Sequence, residues 1–152
     1  MAKANGGDIY FHFLTRPFFF PKRNDLKYYV KLILRDSGKS LDTINYIFCS
    51  DDYLLKLNKT HLKHNTLTDI ITFELSPKNA PLIADIFISV ERVKYNATSF
   101  GIPFTEELRR VIFHGALHLC GFKDKKPADI IKMRRAEEYH LKRFMFHVKQ
   151  TG

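Results

Sequence analysis

The segment His114–Asp124 (HGALHLCGFKD) contains the residues whose types and spacing best suit chemistry. Two histidines four residues apart, His114 and His118, project from one face of a helix, one turn apart. Each neutral imidazole can offer a nitrogen to a metal ion at about 2.0–2.1 Å. Gly121 stands where a helix can end in the left-handed conformation, and the chain can then fold back to bring in the carboxylate of Asp124. We therefore predict one divalent ion, Zn²⁺ being the simplest choice, bound by His114, His118 and Asp124.

Three protein ligands leave a fourth position open for water, as in catalytic rather than structural zinc sites. Because zinc lowers the pKa of bound water to about 7, we expect the metal-bound water to be the nucleophile, with a hydroxyl group of the substrate as the alternative. No side chain can be assigned as general base. Zinc peptidases of the H-E-x-x-H type carry a glutamate beside the first histidine, whereas this chain has Gly115 there, which argues against a peptidase. A histidine pair alone also occurs on helices that bind no metal, so the prediction depends on the added glycine and acid.

Three acidic residues outside this segment could support the site. Glu137 falls on an otherwise apolar stripe of the last predicted helix, where a carboxylate needs a partner. It could accept the free ring N–H of a ligand histidine, or it could pair with Arg134 or Lys142 at the edge of the stripe. Asp69 and Asp85 open two predicted strands, where an acid can line a cleft or only cap a turn.

Apolar spacing predicts the elements that position these residues. Strands are predicted over residues 9–14, 43–49, 69–75 and 84–90, and apolar residues on both sides of 43–49 indicate an interior strand. Helices are predicted over residues 26–34, 51–57, 95–100, 105–120 and 127–146, with a loop at 58–66 and Thr105 as a cap. The result is a single α+β domain over 1–152, with a small mixed sheet of about four strands, about five helices and the metal site at the end of the penultimate helix.

Composition limits the function classes. The chain has 152 residues, a net charge of +9 and two cysteines, which is too few for a secreted disulfide framework. The apolar run Tyr10–Phe20 is interrupted by His12, Arg16 and Pro17 and is too short to span a membrane. We expect a cytoplasmic protein without a membrane partner, and a monomer. The basic charge suits a polyanionic partner, since neutralising phosphates releases counterions, and it equally suits a well-solvated surface with extra lysine.

Four segments agree in order and spacing with one known family. They are HGALHLCGFKD, Leu57-Asn58 followed by Thr68–Phe73 (TDIITF), Asp85–Ser89 (DIFIS), and the pair Met133 and Glu137. Through them the chain resembles the YbeY family of bacterial rRNA-maturation endoribonucleases, whose usual motifs are H-G-x-L-H-L-x-G-Y-D-H, L-N with T-D-V-L-S-F, G-D-I-x-I-S and M-x3-E.

The resemblance implies a single-strand-specific, zinc-dependent endoribonuclease that acts in 16S rRNA 3′-end maturation and ribosome quality control. Its partners would be rRNA and the small ribosomal subunit with its proteins. Thr68, Asp69, Lys123 and Lys125 are the predicted substrate-binding residues, and Asp85 joins Glu137 as a possible support for catalysis. The alternative is an assembly factor in which the metal only braces the fold and the basic surface binds rRNA.

The chain departs from the family pattern at three positions. Asp124 stands where the family usually has its third histidine, and Lys123 stands where it has an aspartate. Leu62 replaces a usual arginine, which removes one phosphate-binding role that Lys59 or Lys63 could take over. An aspartate ligand makes the site more anionic, and the lysines beside it can offset this charge.

Overall fold

The computed structural model describes residues 6–61 and 68–151. In these ranges the chain forms four strands and five helices, which confirms the predicted α+β class. The strands are β1 (Asp8–Phe13), β2 (Leu41–Cys49), β3 (Ile70–Glu74) and β4 (Leu82–Ser89), and the helices are α1 (Arg23–Asp36), α2 (Asp51–His61), α3 (Val90–Phe100), α4 (Phe104–Leu119) and α5 (Pro127–Thr151). None of these helices combines the length and the apolar character needed to cross a membrane.

One mixed sheet orders its strands β1-β2-β4-β3. β1, β2 and β4 run parallel, and β3 pairs antiparallel with β4 at the edge of the sheet. β2 is therefore an interior strand, as its apolar residues on both sides predict. Because the unpaired side of β3 faces away from the sheet, this strand is free to form one wall of a cleft.

The main core lies between one face of the sheet and the helices α1, α4 and α5. Phe113 of α4 is fully buried between the rings of Tyr29 and Phe144, at centroid distances of 5.2 and 5.7 Å. The hydroxyl of buried Tyr46 donates to the carbonyl oxygen of Ile112 at 2.9 Å and ties β2 to α4. Burying a large apolar side chain stabilises a fold by about 1.5–3 kcal/mol, so these contacts hold α4 firmly against the sheet.

Three helices end in the same way, and the glycine predicted to end α4 is one of them. Gly38, Gly101 and Gly121 follow α1, α3 and α4 with φ of 76°, 67° and 102°. After α4, Gly121 N–H donates to His118 O and Phe122 N–H donates to Leu117 O, which is the Schellman pattern. The chain therefore turns back under α4 at the point where the sequence requires it.

Two helices begin or end differently from the prediction. α2 continues through Asn58 to His61, where a loop was expected from the polar sequence; Asn58 is buried, so its polarity does not mark solvent. The part of that expected loop from 62 to 66 lies outside the described residues. α3 begins at Val90 rather than near residue 95, because the side chain of Ser89 accepts from Arg92 N–H and caps the helix.

The last two helices also differ at their ends. The N-cap of α4 is Pro103, whose side chain makes no capping bond, so Thr105 is not the cap. α5 runs past Phe146 to Thr151. Both differences lie far from the predicted site and leave its helix intact.

Candidate metal centre

A cleft opens between α4, the edge strand β3 and the end of α2. Its volume is about 600 Å³, and it is lined by Asn58, Thr68, Asp69, Ile70, Ile71, Thr72, Arg110, His114, His118, Asp124 and Lys125. The three predicted metal ligands thus lie in one cleft, although they come from a helix and from the turn that follows it.

Both histidines use Nδ1 for a hydrogen bond within the protein and leave Nε2 for the cleft. Nδ1 of His114 lies 2.6 Å from Oε2 of Glu137, and Nδ1 of His118 lies 2.9 Å from the carbonyl oxygen of Phe122. A carbonyl or an ionised carboxylate oxygen only accepts, so each Nδ1 carries the proton and donates it. In the neutral rings Nε2 then keeps its lone pair, which is the form that binds a metal. The rings are nearly parallel, with centroids 6.3 Å apart.

Asp124 stands next to the first histidine. Its Oδ2 lies 3.1 Å from Nε2 of His114. Two ligands of a tetrahedral zinc ion lie about 3.3 Å apart, so this pair has the spacing of two atoms that share an ion. Among residues 6–61 and 68–151, no three His, Cys, Asp or Glu side chains stand close enough to form a complete metal site. The donor set and the proton positions fit Zn²⁺, and binding it would require the three side chains to draw closer.

A buried charge network supports His114 from behind. Glu107 and Glu137 are 0% and 1% exposed, and the guanidinium of Arg110 lies between them. Burial disfavours the ionised carboxylate of Glu137, but its hydrogen bond to His114 and the charge of Arg110 outweigh this and lower its pKa. Burial likewise disfavours imidazolium, yet Glu137, then Asp124 and Asp69, raise the pKa of His114. The three carboxylates therefore create a negative potential at this imidazole, which favours either a proton on the ring or a bound cation in its place.

The cleft wall contributes a second acid. The carboxylate of Asp69 lies 3.7 Å from Nη2 of Arg110. Burial raises the pKa of Asp69 and outweighs the lowering effect of Arg110 and His114. Thr68 lies beside it, and its hydroxyl donates to the carbonyl oxygen of Ile70 at 3.3 Å.

The structure brings together most of the predicted site residues. Glu137 lies against His114 and Arg110; Arg134 is a longer contact, at 3.8 Å, and Lys142 makes no ion pair with Glu137. Thr68, Asp69 and Lys125 line the cleft, whereas Lys123 does not.

Asp85 lies elsewhere, and its prediction as a support for catalysis is corrected. Alternation along β4 turns buried Ala84 and Ile86 toward the core, so the side chain of Asp85 lies on the opposite face of the sheet. There it accepts from Nδ2 of Asn45 at 3.1 Å.

Among the described residues, no lysine near position 62 takes the place of the arginine that the family usually has there. Lys59 is exposed on α2 and does not line the cleft. Leu62 and Lys63 lie outside the described residues.

Sequence reasoning missed Arg110, Glu107 and Asn58. Arg110 precedes His114 by one helical turn and Glu107 precedes Arg110 by three residues, so both share the face that carries the ligands. That spacing was a usable signal, although an acid at position 107 also suits the first turn of α4 and so gives no sign of its buried partner. Asn58 gave a weaker signal, because its polarity suggested a loop.

Comparisons with known proteins indicate the class to which this fold and cleft belong, the endoribonucleases. A family model described as "Endoribonuclease YbeY" matches residues 22–145. A protein named Endoribonuclease YbeY from Flavobacterium psychrophilum is 48% identical over 134 residues, covering 87% of this chain and 94% of its own. Another of that name, from Christiangramia forsetii, is 43% identical over 144 residues, covering 95% and 98%.

The chain belongs to the YbeY family. A solution structure from Thermotoga maritima matches with a TM-score of 0.63 over 93% of both chains, at 22% identity. That match supports the fold. The family assignment confirms the resemblance seen in the four sequence segments.

Proposed function

We propose that this protein is a single-strand-specific, zinc-dependent endoribonuclease that acts in 16S rRNA 3′-end maturation and ribosome quality control. The observation that carries the metal dependence is the close approach of His114 Nε2 and Asp124 Oδ2 in a cleft that also contains His118. Membership of an endoribonuclease family supports RNA as the substrate.

His114, His118 and Asp124 would hold the ion. When bound, zinc supplies Lewis acidity toward a phosphate oxygen and toward water. Glu137 keeps the proton of His114 on Nδ1, and the carbonyl of Phe122 does the same for His118, so both Nε2 atoms stay available. The protein thus fixes both proton positions before any ligand arrives.

Two cations line the described part of the cleft, and they differ in what they can do. The N–H groups of Arg110 point to the carboxylates of Glu107 and Glu137, so this guanidinium is committed to the protein. Lys125 lines the cleft and is exposed. We assign to Lys125 the contact with a substrate phosphate, with Lys123 adding charge at the rim. The net charge of +9 would draw RNA to the molecule at low salt.

The test is cleavage of a single-stranded RNA by the purified chain with added Zn²⁺, after removal of metal, and after restoring it. We expect cleavage only with metal, and none from His114→Ala. His12→Ala is the matched control, because His12 is exposed and bonds to Asn45 on another face of the sheet. Cleavage that persists without metal or in His114→Ala would contradict the proposal. Zn²⁺ and RNA binding without any cleavage would instead favour the metal-braced assembly factor.

The ribosomal partners, the cytoplasmic location and the monomeric state stay predictions. Binding of the purified chain to small ribosomal subunits, compared with large subunits, would test the partner. Sedimentation of the metal-loaded chain would test the monomer.

A further inference from the structure

Arg110 joins three elements around the first histidine. Its Nε and Nη2 donate to the two carboxylate oxygens of Glu107 at 2.8 and 2.6 Å, which fixes the plane of the guanidinium. Its Nη1 donates to Oε1 of Glu137 at 3.0 Å, and its Nη2 lies 3.7 Å from Oδ2 of Asp69. The side chain thereby links α4 to α5 and to the start of β3.

The second oxygen of Glu137 continues this chain of contacts. Oε1 faces Arg110, while Oε2 lies 2.6 Å from Nδ1 of His114. The two oxygens of this buried carboxylate thus accept hydrogen bonds from one guanidinium and one imidazole, and Arg134 lies farther from Oε1, at 3.8 Å. If Oε1 lost its partner, the carboxylate could rotate and Oε2 would no longer be fixed beneath the ring.

We propose that Arg110 is a positioning residue for the metal centre, acting through Glu137 to aim Nε2 of His114 into the cleft, with Glu107 as its anchor. This inference rests on the proposed function only in assuming that a metal ion binds there. Outer partners of a metal-binding histidine typically change metal affinity by about 10- to 100-fold.

The geometry explains why the residue is an arginine. A guanidinium presents several N–H groups in one plane and can serve two carboxylates at once, whereas a lysine ammonium is a compact point charge. A purely structural ion pair would be complete with Glu107 alone, because that contact already uses two N–H donors in the bidentate form. The additional bond to Glu137 leads directly to the ligand.

The experiment measures Zn²⁺ affinity of the full chain by competition with a chromophoric chelator. Arg110→Lys keeps the positive charge among the buried carboxylates but loses the planar set of N–H donors that serves two carboxylates at once. We expect Zn²⁺ to bind about 10- to 100-fold more weakly to this variant. Arg109→Lys is the matched control, because the neighbouring guanidinium lies over the ring of Phe144 and donates to the sulfur of Met145 instead. That variant should bind Zn²⁺ as the native chain does.

A double-mutant cycle tests whether Arg110 acts through Glu137. If it does, Arg110→Lys combined with Glu137→Gln should weaken Zn²⁺ binding no more than Glu137→Gln alone. The visible spectrum of bound Co²⁺ gives a second readout, since a reoriented His114 changes the ligand field. A merely structural role would leave that spectrum unchanged and would lower only the unfolding midpoint of the metal-free chain.

Each result decides the matter. Native-like Zn²⁺ affinity in Arg110→Lys, or additive losses in the cycle, would overturn the inference while leaving the proposed function standing. A native chain that binds no stoichiometric Zn²⁺ would overturn both. If Arg110→Lys fails to fold, Glu107→Gln loosens the anchor with less disturbance, and unchanged Zn²⁺ affinity in that variant would also refute the role.

Discussion

The turn after α4 offers a sharp test of how the site is built. Gly121 has φ of 102°, and a Cβ added there would meet nothing within 4 Å. Gly121→Ala therefore costs only backbone strain, which amounts to about 1–3 kcal/mol for a residue in a sparsely populated region. For a chain of this size each kcal/mol lowers the midpoint of thermal unfolding by about 2–4 °C, so we expect a loss of about 2–12 °C.

The same strain should also reach the metal ligands. Gly121 directly precedes Phe122, whose carbonyl accepts the Nδ1 proton of His118, and it begins the turn that presents Asp124. If the backbone relaxes around an alanine, both contacts shift together. We therefore expect Zn²⁺ to bind at least about tenfold more weakly to Gly121→Ala.

Two glycines in the same structural role serve as controls. Gly38 and Gly101 also end helices at positive φ, and a Cβ at either would meet nothing within 4 Å. Their alanine variants should lose about 1–2 kcal/mol each and keep native Zn²⁺ affinity. The assays are unfolding of the metal-free chain and chelator competition for Zn²⁺. The reasoning would be refuted if Gly121→Ala lost no more Zn²⁺ affinity than Gly101→Ala.

Three further predictions follow from the same structure. Lys125→Ala should weaken RNA binding and reduce the slope of log affinity against log salt by about 1, whereas Lys39→Ala should leave RNA cleavage unchanged. If the two variants impaired RNA binding and cleavage equally, Lys125 would not be a specific phosphate contact in the cleft. Saturating the chain with Zn²⁺ at about 100 times its dissociation constant should raise the free energy of unfolding by about 2.7 kcal/mol, and a chelator should reverse the gain, measured by urea unfolding; no shift would argue against a folded-state site. Burial, assisted by Arg143, lowers the pKa of His140 below its usual value of about 6.5, so the folded chain binds this proton less readily than the unfolded chain, and His140 should cost stability as the pH falls below about 6.5. Urea unfolding of the metal-free chain at about pH 7.5 and about pH 5.5 should therefore show a larger loss for the native chain than for His140→Gln, and an equal loss would contradict the assignment.

Features of the fold that depend on local chemistry could be predicted from the sequence. The stops of α1, α3 and α4 at glycine follow from the left-handed conformation that glycine adopts freely. The onset of α3 could not, because Val90 continues a β-rich run and only the bond from Arg92 N–H to the Ser89 side chain shows that a helix has begun.

The site divides in the same way. His114, His118 and Asp124 share one short segment, so their spacing alone predicts that they lie together. Glu137 was left with two possible partners, because periodicity gives the face of a helix and not what packs against it. Alternation along β4 was visible around Asp85, but which face of the sheet the metal helix covers depends on long-range packing.

The bond between His114 and Glu137 has a consequence for biosynthesis. The two residues are 23 positions apart, and the carboxylate arrives on the last helix of the fold. A nascent chain that has emerged only through Asp124 carries all three proposed ligands, yet nothing holds the proton of His114 on Nδ1 until α5 docks. Domains generally fold as units, beginning from the N-terminal side during synthesis. Until α5 docks, the proposed site would therefore bind its metal ion about 10- to 100-fold more weakly than in the finished protein.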